Sequence, residues 1–125
     1  MLPDINNFVD QNFNKDPYFG KLFEYSYSAQ TEGQCGDDMS FYITVEDDII
    51  TDAKYYTEKG CAHTRLAGKS VSMNAKGKNI YEALCITPMN VINAEKSLAQ
   101  SGQHCAILAV TTFYNAISDY LLEQD

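Results

Sequence analysis

The sequence predicts an α+β fold: a small three-stranded antiparallel sheet with helices packed on one face and a long amphipathic helix at the C-terminus. Two patterns carry this reading. Apolar residues alternate at period two through three short segments of the first half, and then recur at helical spacing to the end. With 125 residues and no repeat, linker or low-complexity stretch, the chain reads as one domain over 1–125, long enough to bury a core.

Pro3 to about Phe13 reads as a short helix with Ile5, Phe8, Val9 and Phe13 on one side, broken by Asn14-Lys15-Asp16-Pro17. Phe23, Tyr25 and Tyr27 alternate with smaller or polar residues, predicting a strand over Leu22 to Ala29. Met39, Phe41, Ile43 and Val45 predict a second. Glu46-Asp47-Asp48 is a solvated turn without the length or spacing of an EF-hand, and Ile49 to Thr57 returns as the third strand of a hairpin. Helices follow over Cys61 to about Lys76, ended near Gly77, and over Asn79 to Cys85. Thr87-Pro88 supplies an N-cap and a first-turn proline for a helix to about Gln100, which Ser101-Gly102 ends. The last helix runs from about Gln103 to Leu122, with Ile107, Val110, Phe113, Ile117 and Leu121 on one core-facing stripe.

Composition excludes several functions. Lys and Arg number 9 against 17 Asp and Glu, a formal charge of −8, which repels phosphate backbones and anionic lipid. No nucleic acid or membrane partner is expected, and the consecutive apolar runs are short of a bilayer span. Met1-Leu2-Pro3-Asp4 has neither the basic start nor the apolar run of a signal peptide, which predicts a cytoplasmic protein with reduced thiols.

The four cysteines sit in unlike settings. Cys35 precedes Gly36-Asp37 between the first two strands, where glycine lets the chain turn and present a thiolate and a carboxylate together. An ordinary Gly-Asp turn with an incidental cysteine is the alternative. Gly60-Cys61 stands where a strand gives way to a helix, and unpaired N–H groups there favour a thiolate; the alternative is a small packing residue. His63 follows two residues later, a spacing that points away from Cys61 on a helix. His104-Cys105 opens the last helix, with an imidazole beside the thiol; alone, His104 reads as a surface histidine. Cys85, between Leu84 and Ile86, reads as a buried structural thiol.

Taken together, Cys35-Gly36-Asp37, the hairpin with Ile49-Ile50-Thr51-Asp52-Ala53, Gly60-Cys61, Gly77-Lys78, His104-Cys105-Ala106-Ile107-Leu108-Ala109 and Ala116-Ile117-Ser118-Asp119-Tyr120 resemble the NifU/IscU family of iron–sulfur cluster assembly scaffolds. The likeness spans roughly residues 33 to 122. It implies that Cys35, Cys61 and Cys105 ligate a labile [2Fe–2S] cluster and accept sulfur. His104 would be a candidate fourth ligand, with His63 or Asp37 in the same place as alternatives, and Asp37 would keep the cluster labile. It also implies zinc in the same site without cluster, and no enzymatic turnover. The implied partners are a cysteine desulfurase supplying persulfide, an iron donor and apo-protein acceptors, with the scaffold a monomer or a cluster-bridged dimer.

Two stretches depart from the family. The Leu-Pro-Pro-Val-Lys-like run read by an Hsp70-type chaperone is replaced by Leu98-Ala99-Gln100-Ser101-Gly102-Gln103, which counts against that chaperone as a partner. Ala62-His63-Thr64-Arg65-Leu66-Ala67 is bulkier and more basic than the small residues usual after the second cysteine. The insertion of the SufU branch is absent, which places the resemblance with the IscU and NifU branch. Two rival readings are a zinc-binding structural or regulatory domain without assembly activity, and an enzyme using Cys105 as nucleophile with His104 or His63.

Overall fold

A computed structural model of the protein describes residues 16–33 and 36–123; the helix expected over 3–13 and the residue Cys35 lie outside them. Three strands, β1 (Tyr27–Glu32), β2 (Asp38–Glu46) and β3 (Ile49–Tyr56), form one sheet in the order β1-β2-β3, both pairs antiparallel. Five helices follow: α1 (Ala62–Ala75), α2 (Ile80–Ala83), α3 (Pro88–Ala94), α4 (Leu98–Ser101) and α5 (Gln103–Glu123).

The hairpin turns on two residues, Asp47 and Asp48, both with positive φ (53° and 64°), the twist a two-residue connection needs. Just beyond it, the pairing slips: Thr44 faces Asp52 but Val45 faces Ile50, so Thr51 is an extra residue in β3. That bulge reverses the parity of β3 and lets Ile50 share the inward face with Ala53 and Tyr55. Met39, Phe41 and Ile43 of β2 line the same face, each with no exposed surface. Against it lies α5, whose Phe113 meets the Phe41 ring edge-on at 5.7 Å between centroids.

The first strand begins later than the aromatic alternation predicts. Tyr27 pairs with Ile43, so residues 22 to 24 would have to pair with the hairpin turn itself, and Phe23 is fully exposed. The ladder ends instead where Ser26 Oγ accepts the Val45 N–H at 3.0 Å. The helix expected from Thr87 to Gln100 divides into α3 and α4. Each buries one residue, Val91 and Leu98, too narrow a face to hold one continuous helix through Asn93 and Ser97.

Helix α5 has the expected bounds but not the whole expected stripe. Each three-residue step falls short of a full turn, so the buried arc drifts away from Ile107, which is 54% exposed, while Leu108 turns inward. By length and composition α5 is apolar enough to cross a membrane, which the consecutive apolar runs do not suggest; half of that stretch is buried against the rest of the fold. Cys85 also departs from expectation. Ile80, Ala83 and Ile86 take the inward positions of that segment, leaving the Cys85 thiol exposed and 3.7 Å from the Tyr81 carbonyl oxygen.

Candidate metal centre

The site is assembled where the β1–β2 connection, the start of α1 and the start of α5 converge. In the first of these, the Gly33 N–H donates to the Asp37 carbonyl at 2.7 Å and the Gly36 N–H to the Gly33 carbonyl at 3.2 Å. Gly36 has φ +86°, a conformation side-chain-bearing residues rarely adopt. Gly33 is required for space: a Cβ there would stand 2.2 Å from Asp37 Oδ1. This tight loop folds the Asp37 side chain inward, 7% exposed, with neither carboxylate oxygen hydrogen-bonded to any described residue. Burying a carboxylate without a partner is costly, and a cation is the usual remedy.

Asp38, the next residue, is the opposite case. Its carboxylate accepts from Thr57 Oγ1 at 2.8 Å, from the Lys59 N–H at 2.8 Å and from the Glu58 N–H at 3.1 Å. Burial pushes the Asp38 carboxyl upward, but these donors outweigh it and leave it below its ordinary value. The bonds clamp the turn that delivers Cys61 to the N-cap of α1.

From Cys61 a string of polar atoms crosses the site. Cys61 Sγ lies 3.6 Å from Thr64 Oγ1, Thr64 Oγ1 lies 3.5 Å from Cys105 Sγ, and Cys105 Sγ lies 3.5 Å from His104 Nε2. The ligand atoms of Asp37, His104 and Cys105 fall within 4.8 Å of one another. The thiols differ in character. Cys61 is exposed, and the Thr64 backbone N–H and then its hydroxyl hold it below the ordinary thiol range despite some burial. Cys105 has no exposed surface. Burial raises its thiol, overriding the Thr64 hydroxyl, and the negative ends of Cys61 and Asp37 add to the rise. A place in the first turn of a helix therefore does not make Cys105 a ready thiolate in the metal-free protein.

A carboxylate left without a partner among the described residues, an exposed imidazole and two thiols form a mixed oxygen, nitrogen and sulfur set that suits zinc or iron. The structure thus brings together Asp37, His104, Cys105 and Cys61 of the residues singled out in the sequence. His63 is not among them: its Nε2 lies 3.3 Å from Ser101 Oγ. Cys85 lines a separate hollow with Lys78 and Glu82. Beside the site opens a cleft of about 370 Å³ lined by Gly33, Asp37, His104, Ile107 and Leu108 among others, which gives the exposed Ile107 its place.

Sequence reasoning passed over Asp38, Gly33 and Thr64. Only Thr64 left a signal. It stands three residues after the N-cap Cys61, the spacing at which first-turn groups reach one another.

Residues 12–125 match the family model described as the NifU-like N terminal domain. The chain belongs to that family. Among curated relatives, the iron-sulfur cluster assembly scaffold protein IscU 1 of Archaeoglobus fulgidus is 42% identical over 86 residues, which is 69% of this chain and 56% of that protein. The iron sulfur cluster assembly protein 1 of Trachipleistophora hominis is 35% identical over 96% of both chains. The NifU-like domain thus spans little more than half the length of the archaeal relative and nearly all of the other. Its fold is that of a putative iron-sulfur cluster assembly scaffold protein for the SUF system from Fervidobacterium islandicum AW-1, at a TM-score of 0.69 and 19% identity over 88% of this chain and 93% of that one.

Proposed function

We propose that this NifU-like domain is a scaffold on which an iron–sulfur cluster is built and from which it is handed on, with Cys35, Cys61 and Cys105 as sulfur ligands and Asp37 or His104 completing the set. The observation that carries the proposal is the Asp37 carboxylate, buried without a hydrogen bond to any described residue and within 4.8 Å of the ligand atoms of His104 and Cys105. Family membership and the names of the relatives agree with it. Iron and sulfur are cargo in this reading. A fourth cysteine would hold a cluster firmly, whereas a hard carboxylate or an exposed imidazole beside soft thiolates lets it exchange. Zinc fits the same donors when no cluster is bound.

Sulfur arrives as the persulfide of a cysteine desulfurase. A scaffold thiolate attacks the outer sulfur, the S–S bond breaks, and the donor cysteine leaves as thiolate. Reduction to sulfide draws electrons from an outside reductant. A cytoplasmic setting with reduced thiols suits this chemistry. The scaffold has no turnover of its own, and its partners are the desulfurase, an iron source and apo-proteins awaiting cluster.

The test is transfer. The protein is loaded anaerobically with ferrous iron, cysteine and a desulfurase, separated from the reagents, and mixed with an apo-ferredoxin. Appearance of the ferredoxin spectrum, with matching loss from the loaded protein, supports the scaffold. A loaded protein that never yields its iron to the acceptor contradicts it.

A further inference from the structure

The Thr64 hydroxyl is the one group that touches the sulfurs of both Cys61 and Cys105 across the described part of the site, at 3.6 and 3.5 Å. Thr64 has no exposed surface, so its hydroxyl is withdrawn from water and depends on these sulfurs. We propose that Thr64 is a positioning residue of the metal centre: its hydroxyl aligns the two thiols and serves as hydrogen-bond donor to a metal-bound thiolate. The proposal rests on the scaffold reading above, in which both sulfurs are ligands.

A hydroxyl has one proton and two lone pairs. With both cysteines as thiols, Thr64 accepts from one S–H and donates to the other sulfur. Once both sulfurs bind a metal neither has a proton, so Thr64 can only donate, and it does so to a thiolate. Its direction is fixed. Threonine has two favoured χ1 rotamers in a helix, and the Thr64 methyl, seated beside Gly60 where a Cβ would come within 2.6 Å of it, goes with the one that turns the hydroxyl to the sulfurs. The sulfurs belong to different helices, α1 at its N-cap and α5 in its first turn, and the hydroxyl lies between them. A donor of this kind draws electron density from the sulfur and fixes its orientation, and losing such a support costs about 10- to 100-fold in metal affinity.

The experiment uses cobalt(II) as the probe on the whole chain, with Thr64→Val, Thr64→Ala and Thr64→Ser. Affinity is measured by competition with a chelator, and the thiolate-to-cobalt charge-transfer band by absorption. Thr64→Val and Thr64→Ala are expected to bind at least about tenfold more weakly. Their band should lie at longer wavelength, because the thiolate is more electron-rich. Thr64→Ser should stay near the wild type in both. Should Thr64→Val fold poorly by circular dichroism, the Ala and Ser pair decides. The proposal is overturned if the Ala or Val variant keeps wild-type affinity and band, or if Ser loses as much as Val, which would make the methyl the group that matters. A wild-type protein without any thiolate-to-cobalt band overturns the metal-centre reading itself, a result distinct from a failure of Thr64 alone.

Discussion

The Lys59 backbone N–H donates a 2.8 Å hydrogen bond to Asp38 Oδ1, tying the loop that precedes Cys61 to the first residue of β2. Thr57 and Glu58 donate to the same carboxylate, so one buried acid organises the approach to the site. Asp38→Ala leaves these donors without their acceptor and should cost about 2–3 kcal/mol in urea unfolding, while Asp38→Asn, which keeps an oxygen acceptor, should cost less. The sign with pH follows from the lowered carboxyl. Its stabilisation is complete above the ordinary value of 3.8 and is lost as pH falls through the lower folded-state value. Acid unfolding of the Asn variant should therefore be shallower; curves that superimpose would remove Asp38 from this role.

Asp37 should trade stability for binding. Neither of its oxygens is hydrogen-bonded among the described residues, so Asp37→Ala removes a buried carboxylate that they leave unpaired and should stabilise the metal-free protein by about 1–2 kcal/mol. The same change should reduce the rise in melting temperature that saturating zinc gives the wild type. Calorimetry with and without zinc reads both effects at once. A variant less stable without metal, yet equally stabilised by zinc, would mean that Asp37 serves the fold alone.

The two thiols should react in a fixed order. Cys61 is exposed and held low by Thr64, whereas Cys105 is buried and raised by that burial. In the metal-free protein, iodoacetamide should modify Cys61 at a lower pH and much faster than Cys105, as read by peptide mass spectrometry across a pH series. Zinc should protect both. Earlier modification of Cys105 would contradict the burial described for α5.

Gly33→Ala tests the loop without replacing a ligand. Its Cβ would overlap Asp37 Oδ1 at 2.2 Å, so the carboxylate must move. Zinc affinity should fall about 10- to 100-fold while the far-ultraviolet spectrum stays that of the wild type. Unchanged affinity would show that the Asp37 oxygens have room to reach the metal from elsewhere.

Much of this was legible in the residues. The Met39, Phe41 and Ile43 alternation and the Thr87-Pro88 cap mark local physics, and the structure has β2 and the start of α3 where they predict. Where neighbours in space decide, local pattern misleads. Phe23 and Tyr25 alternate like a strand, but the would-be partner of Phe23 is Asp47 of the hairpin turn, and the ladder stops at Tyr27. Cys85 looks buried among Leu84 and Ile86, yet the inward positions belong to Ile80, Ala83 and Ile86. In the site, His104-Cys105 and Cys61 announce themselves as chemistry-bearing residues; the structure brings His104 and Cys105 to Asp37 and joins Cys61 to Cys105 through Thr64. Asp38 and Thr64 do not, because their partners are the Thr57–Lys59 turn and a sulfur on another helix, contacts that only the tertiary fold creates.

Cluster assembly on the three cysteines is tested by anaerobic reconstitution with ferrous iron, cysteine and a desulfurase, followed by visible absorption, on the wild type and on Cys35→Ser, Cys61→Ser, Cys105→Ser and Cys85→Ser. A cluster chromophore is expected in the wild type and in Cys85→Ser, and its loss in each of the other three. A wild type that forms no chromophore while keeping bound zinc, or a chromophore that survives loss of both Cys61 and Cys105, would contradict it.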